Sequence, residues 1–155
     1  IRRKMGEDRI HLAEDRAFFY LNRVYSVYGE ENIKLGLAFQ REVMNNIVPR
    51  VEPDLIHCND WMTGLIPAMA RQMGIPCLFT IHNLYSVKAT LSQIEDRGID
   101  GAFFWRNLFF EQMAASYESV RESNPVDLLI SGVFAAHFIN TVSPSFLKEN
   151  ETDFM

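Results

Sequence analysis

The chain contains two short apolar runs that each end abruptly in polar residues, Pro53-Asp54-Leu55-Ile56-His57-Cys58-Asn59-Asp60-Trp61 and Cys77-Leu78-Phe79-Thr80-Ile81-His82-Asn83. This pattern is typical of buried parallel strands that present polar groups at their carboxyl ends. Between the runs, apolar residues recur at helical spacing, at Leu65, Ile66, Met69 and Met73. A right-handed strand–helix–strand crossover would place both polar ends on one rim of a sheet.

Further elements are predicted on the amino-terminal side of this unit and inside it. We expect a strand over residues 17–21 and an amphipathic helix from about Glu31 that stops before Pro49. Since Pro67 must fall in a first turn, the helix between the two strands should begin near Thr63 or Gly64.

On the carboxyl-terminal side, Asn124 is expected to cap a helix that has Pro125 at its first position and runs to about Ala136. A strand over residues 138–142 should follow, and Ser143-Pro144 should begin one more helix. Residues 84–123 interrupt this alternation and are rich in aromatic side chains, which indicates an inserted segment of short helices.

The order of elements predicts an open, doubly wound parallel α/β sheet of Rossmann-like type. A chain of 155 residues is long enough for one core, so a single domain is expected, with residues 1–15 as a poorly patterned lead-in. Because the chain opens on Ile1 and its start is ragged, we expect a fragment of a longer protein.

Composition argues against several classes of function. The net charge of -5 disfavours a nucleic-acid binder or a basic membrane anchor, and no apolar stretch approaches the roughly 20 residues that span a bilayer. Cys58 and Cys77 both lie in predicted strands, where a thiol acts as a small hydrophobe. These features predict a protein of the cytoplasm, or of a plastid if the parent is a plant protein.

Asp60 and His82 form the sharpest chemical pair, because both follow strands that should be neighbours. A carboxylate and an imidazole together bind sugar hydroxyls or stabilise developing charge. The same residues have a structural interpretation, in which Asp60 caps the following helix and His82 satisfies a loop carbonyl. The residue pattern alone favours the structural interpretation.

Other candidate sites are weaker. The imidazole, thiol and amide groups of His57, Cys58, Asn59 and His82 match no closed zinc site, so no metal is expected. The aromatic residues between Phe103 and Phe110 are either core or a platform for sugar rings, with core favoured. The eight glycines form no dinucleotide fingerprint and no phosphate-binding loop.

Several motifs together resemble the N-terminal domain of glycogen and starch synthases. They are the run 53–61 with Gly64-Leu65 and Pro67, then Gly74-Ile75-Pro76, Phe79-Thr80-Ile81-His82-Asn83-Leu84, and Asn140-Thr141-Val142-Ser143-Pro144. The resemblance extends over about residues 17–148, and it is the combination of motifs that is specific.

The resemblance implies one half of a GT-B glycosyltransferase, which transfers glucose from ADP-glucose or UDP-glucose to an α-1,4-glucan with retention and without a metal or other cofactor. Asp60 is similar to the family's active-site aspartate, and His82 to the histidine that contacts the transferred glucosyl unit. By the same resemblance, the substrate-binding residues are Asn59, Trp61, Asn83, Tyr20 and Tyr25.

Two positions differ from the family pattern, since Met62 stands where the family usually has His and Tyr85-Ser86-Val87-Lys88 follows the His-Asn-Leu motif. The Lys-x-Gly-Gly-Leu element, the first strand and the C-terminal domain of such enzymes are absent from the sequence. An inactive fragment that forms a homodimer through an exposed sheet edge is therefore expected. The alternatives are a non-catalytic carbohydrate-binding or regulatory module on a synthase-like scaffold, and an unrelated Rossmann-like binder.

Overall fold

The computed structural model describes residues 4–5, 10–13, 15–19, 29–142 and 148. In chain order the helices and strands are β1 (Lys4–Met5), β2 (Ile10–His11), α1 (Glu30–Glu42), α2 (Val48–Val51), β3 (Ile56–Asn59), α3 (Ile66–Gln72), β4 (Cys77–Ile81), β5 (Lys88–Ala89), α4 (Leu91–Glu95), α5 (Tyr117–Val120), β6 (Val126–Asp127), α6 (Leu128–Ala135) and β7 (Phe138–Thr141). None of the helices in these ranges is long and apolar enough to cross a membrane.

The central feature is a parallel sheet with the strand order β3-β4-β7. Ile56 lies opposite Cys77 across the first pair of strands, and Leu78 lies opposite Phe138 across the second. Strands β5 and β6 form a separate antiparallel pair beside it. The predicted α/β fold with a Rossmann-like parallel sheet is confirmed.

The two faces of this sheet have different surroundings in the described residues. Helices α3 and α6 pack on the face that carries Cys58 and Phe79, which are 1% and 0% exposed. Gly132 of α6 lies so close that a Cβ atom there would be 2.3 Å from the Phe79 ring. The opposite face carries His57 and Phe138, and the Phe138 side chain is 60% exposed.

The prediction that the first long helix stops before Pro49 is wrong. Helix α1 passes through a wide π-helical turn at Val43–Ile47 and continues as α2, which contains Pro49 in its first turn. Because the wide turn restarts the helix, Pro49 occupies a position where its missing N–H is not needed. The helix ends at Glu52, whose φ of 48° is left-handed and whose N–H donates to the Val48 carbonyl at 2.9 Å.

The predicted strand over residues 17–21 is wrong where the structure describes it. Arg16–Phe18 form a 3-10 turn, because the Asp15 side chain accepts a hydrogen bond from the Ala17 N–H at 2.9 Å and begins the turn. Asp15 also pairs with Arg41 of α1. Residues 20 and 21 lie outside the described residues.

The helix between the two central strands begins later than predicted, at Ile66 instead of Thr63 or Gly64. A 3-10 turn at Trp61–Thr63 occupies the intervening space. Pro67 lies in the first turn, as expected. The later strand is confirmed as β7 (Phe138–Thr141), and the helix expected from Ser143-Pro144 lies outside the described residues.

Asn124 does not cap α6, which corrects a second helix boundary. Asp127 is the N-cap, since its Oδ1 atom accepts from the Ile130 N–H at 2.9 Å and from the Ser86 hydroxyl at 2.6 Å. Asn124 instead accepts from the Gln112 N–H at 3.0 Å and donates to the Gln112 carbonyl at 2.9 Å. Tertiary pairing therefore selects between two residues that are both good caps.

The segment at residues 84–123 contains α4, α5 and two 3-10 turns at Gly101–Phe103 and Trp105–Asn107. Phe104 and Phe110 belong to the core, with Trp105 and Tyr117 packed against it, whereas Tyr85, Phe103 and Phe109 are exposed. Glu95 accepts hydrogen bonds from the Tyr117 hydroxyl and from Arg121, which joins α4 to α5.

Candidate active site

Asp60 and His82 lie next to each other on the carboxyl rim of the sheet, one residue beyond the ends of β3 and β4. The Asp60 Oδ1 atom accepts a hydrogen bond from the backbone N–H of His82 at 2.8 Å. The His82 Nε2 atom lies 2.9 Å from Oδ1 of Asn59. The shared rim is confirmed, and two hydrogen bonds join the two strand exits.

In the described residues, neither side chain makes the specific contact that the structural interpretation gave it, although Asp60 is the N-cap residue of the next turn and its carboxylate binds the His82 backbone. The Asp60 side chain makes no capping bond to the turn at Trp61–Thr63. The His82 ring contacts a side-chain amide oxygen instead of a loop carbonyl. The Asp60 carboxylate thus links the end of β3 to the end of β4 by a hydrogen bond.

Asp60 has an unusual backbone conformation, with φ 54° and ψ -176°. A residue with a side chain adopts this combination at a cost of about 1–3 kcal/mol, and such outliers cluster at functional sites. The neighbours hold it in place, because the Asp60 N–H donates to the Thr80 carbonyl at 3.1 Å and the Asp60 carbonyl accepts from the Thr63 N–H at 3.1 Å. The strained backbone points the carboxylate along the rim toward His82.

Thr63 holds the same turn, and sequence reasoning missed it. Its hydroxyl accepts from the Asn59 N–H at 2.7 Å and donates to the Asn59 carbonyl at 2.8 Å. A threonine four residues after a strand end is a known way to close a short turn on its own backbone. That spacing was visible in the sequence.

A second polar network crosses all three strands on the open face. The Thr80 hydroxyl donates to Oδ1 of Asn140 at 2.5 Å and lies 2.7 Å from Nε2 of His57. Because its hydrogen points at Asn140, Thr80 accepts from the His57 ring. The sequence suggested a role for His57 only as a possible zinc ligand. In the structure its ring instead forms a hydrogen bond with Thr80.

Trp61 lies beneath the rim, where its side chain is 7% exposed. Its ring packs against Gly36 of α1, where a Cβ atom would be 2.9 Å from the indole, and it meets Tyr85 edge to face at 6.2 Å. In this structure the ring supports the rim from below. Substrate binding by Trp61 stays a prediction.

The remaining predicted site residues are less fixed by contacts. Asn83 is exposed, and its Oδ1 atom accepts from the Tyr85 N–H at 2.9 Å, which shapes the loop after β4. Met62 is 41% exposed at the start of the turn after β3. Tyr20 and Tyr25 lie outside the described residues.

The thiol of Cys58 is not available for chemistry at neutral pH. Its hydrogen bond with Cys77 and its burial raise the pKa of the Cys58 thiol well above its ordinary value. A protonated, buried thiol is neither a nucleophile nor a metal ligand. Within the described ranges, no cluster of three or more His, Cys, Asp or Glu residues is arranged to hold a metal ion.

These features define a class of protein, namely a Rossmann-like α/β domain with a carboxylate and an imidazole at the carboxyl ends of adjacent parallel strands. Ligands bind at this position in open α/β sheets. Comparison with known families then makes the assignment specific. Residues 3–155 match the model of the starch synthase catalytic domain, so the chain belongs to that family.

Similar proteins are called glycogen synthases. The chain is 28% identical over 157 residues to the glycogen synthase of Fusobacterium nucleatum, an alignment covering 96% of this chain and 32% of that protein. It is 26% identical over 164 residues to that of Geotalea uraniireducens, covering 96% and 31%. Glycogen synthase 1 of Rhizobium meliloti is 33% identical over 118 residues, covering 74% and 22%. The chain thus spans about a third of the length of the first two relatives.

Proposed function

We propose that the chain forms one wall of the cleft of a retaining glucosyltransferase, which transfers glucose from ADP-glucose or UDP-glucose to the end of an α-1,4-glucan in the cytoplasm. Family membership supports the glycosyl-transfer class. The observation that carries the proposal is the hydrogen bond from the His82 backbone N–H to the Asp60 carboxylate at 2.8 Å, which holds both residues on one rim. No cofactor is required in this proposal.

The rim groups have separate proposed roles. Oδ1 of Asp60 is engaged by the His82 N–H, which leaves Oδ2 to accept from a sugar hydroxyl or to face positive charge on the reacting ring. The imidazole of His82 contacts the transferred glucosyl unit. Asn59, Asn83 and Trp61 remain proposed substrate contacts, and so do Tyr20 and Tyr25. Catalysis in this scheme is positioning together with electrostatic stabilisation.

We propose that the 155-residue chain alone does not catalyse glucosyl transfer. A nucleotide diphosphate leaving group is strongly anionic, and the rim segments 59–62 and 81–85 contain neither lysine nor arginine. The cations that stabilise the leaving group must come from elsewhere. Incubation of the chain with either nucleotide sugar and a malto-oligosaccharide should give no labelled glucan, and measurable transfer would contradict this part of the proposal.

The catalytic assignment is tested in the full-length protein. Asp60→Ala and His82→Ala should each lower glucosyl transfer at least about 100-fold, since each removes a group that meets the reacting sugar. Met113→Ala is the control, because that side chain is 97% exposed and remote from the rim in sequence. Activity close to that of the wild type in both rim variants would refute the assignment.

A second variant at the same position separates activity from folding. Asp60→Gly also removes the carboxylate, but glycine adopts a φ of 54° without strain. Asp60→Gly should therefore be more stable than Asp60→Ala by about 1 kcal/mol, while both lose activity equally. Chemical denaturation of both variants beside the transfer assay measures this, and activity in Asp60→Gly would show that the carboxylate is dispensable.

The second candidate function is a carbohydrate-binding or regulatory module without transfer. Met62 favours it, because an exposed thioether stands on the rim where synthases usually carry a histidine. In that case the full-length protein would bind malto-oligosaccharides in a calorimeter but transfer no glucose from either donor. Restoring the family residue with Met62→His would then leave transfer absent.

We also propose a second copy of the chain as a partner. In the described part of the chain, β7 pairs only with β4, and Phe134, Phe138 and Ile139 near its other edge are each more than half exposed. Residues 128–142 contain no Asp, Glu, Lys or Arg, so this patch can face itself across a two-fold axis without like-charge repulsion.

Sedimentation of the 155-residue chain tests this partner. The wild type should sediment as a dimer, and Phe138→Asp should be a monomer because it places two carboxylates face to face. Phe103→Asp, which changes an even more exposed ring in the inserted segment, should leave the dimer intact. A monomeric wild type would refute the proposal.

A further inference from the structure

We infer that Asn59 is a positioning residue that fixes the tautomer of His82, so that the ring offers Nδ1 to the substrate as a hydrogen-bond acceptor. The functional part of this inference rests on the proposed glucosyl transfer. The geometric part stands on three hydrogen bonds of the rim. It changes the role of Asn59 from a substrate contact to a group that acts through His82.

The first contact sets the proton on the ring. Oδ1 of Asn59 lies 2.9 Å from Nε2 of His82, and an amide oxygen can only accept. Nε2 must therefore carry a hydrogen, and in the neutral form of the imidazole Nδ1 is then the unprotonated nitrogen. Among the residues that the structure describes, Nδ1 has no hydrogen-bond partner, and the side chain is exposed.

Two further hydrogen bonds fix the backbones of His82 and Asn59. Oδ1 of Asp60 holds the His82 N–H at 2.8 Å, and the Thr63 hydroxyl holds the Asn59 N–H at 2.7 Å. Both partners of the His82–Asn59 bond are thus anchored independently of each other. The bond is preorganised, and the tautomer is decided before any substrate arrives.

The chemical consequence is a preference in the ligand. An unprotonated Nδ1 accepts a hydrogen bond from a sugar hydroxyl. An N–H at that atom would instead donate to the hydroxyl oxygen and compete with other donors for it. A site built to pair with one hydroxyl rejects an analogue that lacks it. Asn59 therefore contributes to recognition of the glucosyl unit without touching it.

The experiment reads the tautomer directly by two-dimensional NMR of the ¹⁵N-labelled chain, which separates protonated from unprotonated ring nitrogens. The wild type should show His82 in the Nε2–H form. Asn59→Leu, which has the same branched shape but no acceptor, should shift His82 to a mixture of tautomers. Asn59→Asp keeps the acceptor oxygen and, in spectra recorded at a pH high enough for the imidazole to be neutral, should restore the Nε2–H form.

The His57 ring provides an internal control for folding, because it donates to Thr80 through Nε2 and, among the described residues, forms no hydrogen bond with Asn59. Its signals should be the same in all three proteins. A His82 tautomer that is Nδ1–H in the wild type, or that is unchanged in Asn59→Leu while His57 is intact, overturns the inference.

Kinetics of the full-length protein extend the test. Asn59→Leu should lower kcat roughly 10-fold with less than a two-fold change in KM, because it disturbs the orientation of His82 and removes no direct substrate contact. A rise in KM alone would return Asn59 to substrate binding and overturn the positioning role. If the NMR result holds but neither His82→Ala nor Asn59→Leu affects transfer, the proposed function fails while the geometric inference stands.

Discussion

The two faces of the central sheet carry different tasks, although they are built from alternating residues of the same strands. On the covered face Cys58 and Phe79 pack against α6 and are almost completely buried. On the open face His57, Thr80 and Asn140 form a polar network beside the exposed Phe138 ring. The comparison shows that one face supplies stability, while the other supplies polar groups close to the rim site.

The largest expected contrast comes from truncating one phenylalanine on each face. Phe79→Ala should destabilise the chain by about 3–5 kcal/mol, since it opens a cavity in the core. Phe138→Ala should cost less than about 1 kcal/mol because its ring is 60% exposed. Urea denaturation measures both losses of unfolding free energy. Equal losses would mean that the two phenylalanines contribute equally to stability.

A smaller effect is expected from filling the close contact on the covered face. Gly132→Ala places a Cβ atom 2.3 Å from the Phe79 ring, so that either the ring or α6 must shift, at a cost of about 1–3 kcal/mol. Ile130→Ala in the same helix is the control, because that side chain is 41% exposed. A more stable Gly132→Ala protein would show that helix propensity outweighs packing here.

On the open face, Thr80→Val should cost about 1 kcal/mol, because it keeps the shape of the side chain but removes the hydroxyl that joins His57 to Asn140. Thr80→Ser keeps the hydroxyl and removes the methyl group, so it measures the packing contribution separately. Thermal denaturation compares the two. If Thr80→Ser destabilises the chain more than Thr80→Val, then packing of the methyl group stabilises this face more than the polar network does.

The smallest effect is a pH dependence of the covered face. The pKa of the Cys58 thiol is raised in the folded state, so its contribution to stability is present below the unfolded pKa of about 8.5 and is lost as the pH rises above it. The pKa of the Cys77 thiol is lowered by the same hydrogen bond, and this offsets part of the loss. Cys58→Ala should show a flatter alkaline profile in denaturant titrations, and an unchanged profile would contradict this assignment.

The parts of the fold that sequence predicts well are those with one dominant local signal. Strands β3 and β4 follow from continuous apolar runs bounded by Pro53 and Pro76, and the polar exits at Asp60 and His82 follow from the ends of those runs. Short buried strands leave little choice of register once a helix connects them. The shared rim was therefore predictable.

The helix boundaries were less predictable, because several local signals competed. Pro49 is an ordinary stop signal, but a π-helical turn at Val43–Ile47 lets the helix restart around it. Asn124 and Asp127 are equally good caps in isolation, and the contacts to Gln112 and Ser86 decide between them. Both outcomes depend on packing with segments distant in the chain.

The sequence by itself determined the class of fold, the family and the identity of the two rim residues, because apolar periodicity and local motifs are properties of neighbouring positions. Only the tertiary structure decided how those residues are used. The Asp60 carboxylate accepts a hydrogen bond from the backbone of His82, 22 residues later in the chain, and Asn59 bonds to the His82 ring, 23 residues later. Hydrogen bonds of this kind exist only after the strands have paired, since pairing brings the donor and acceptor atoms within about 3 Å of one another.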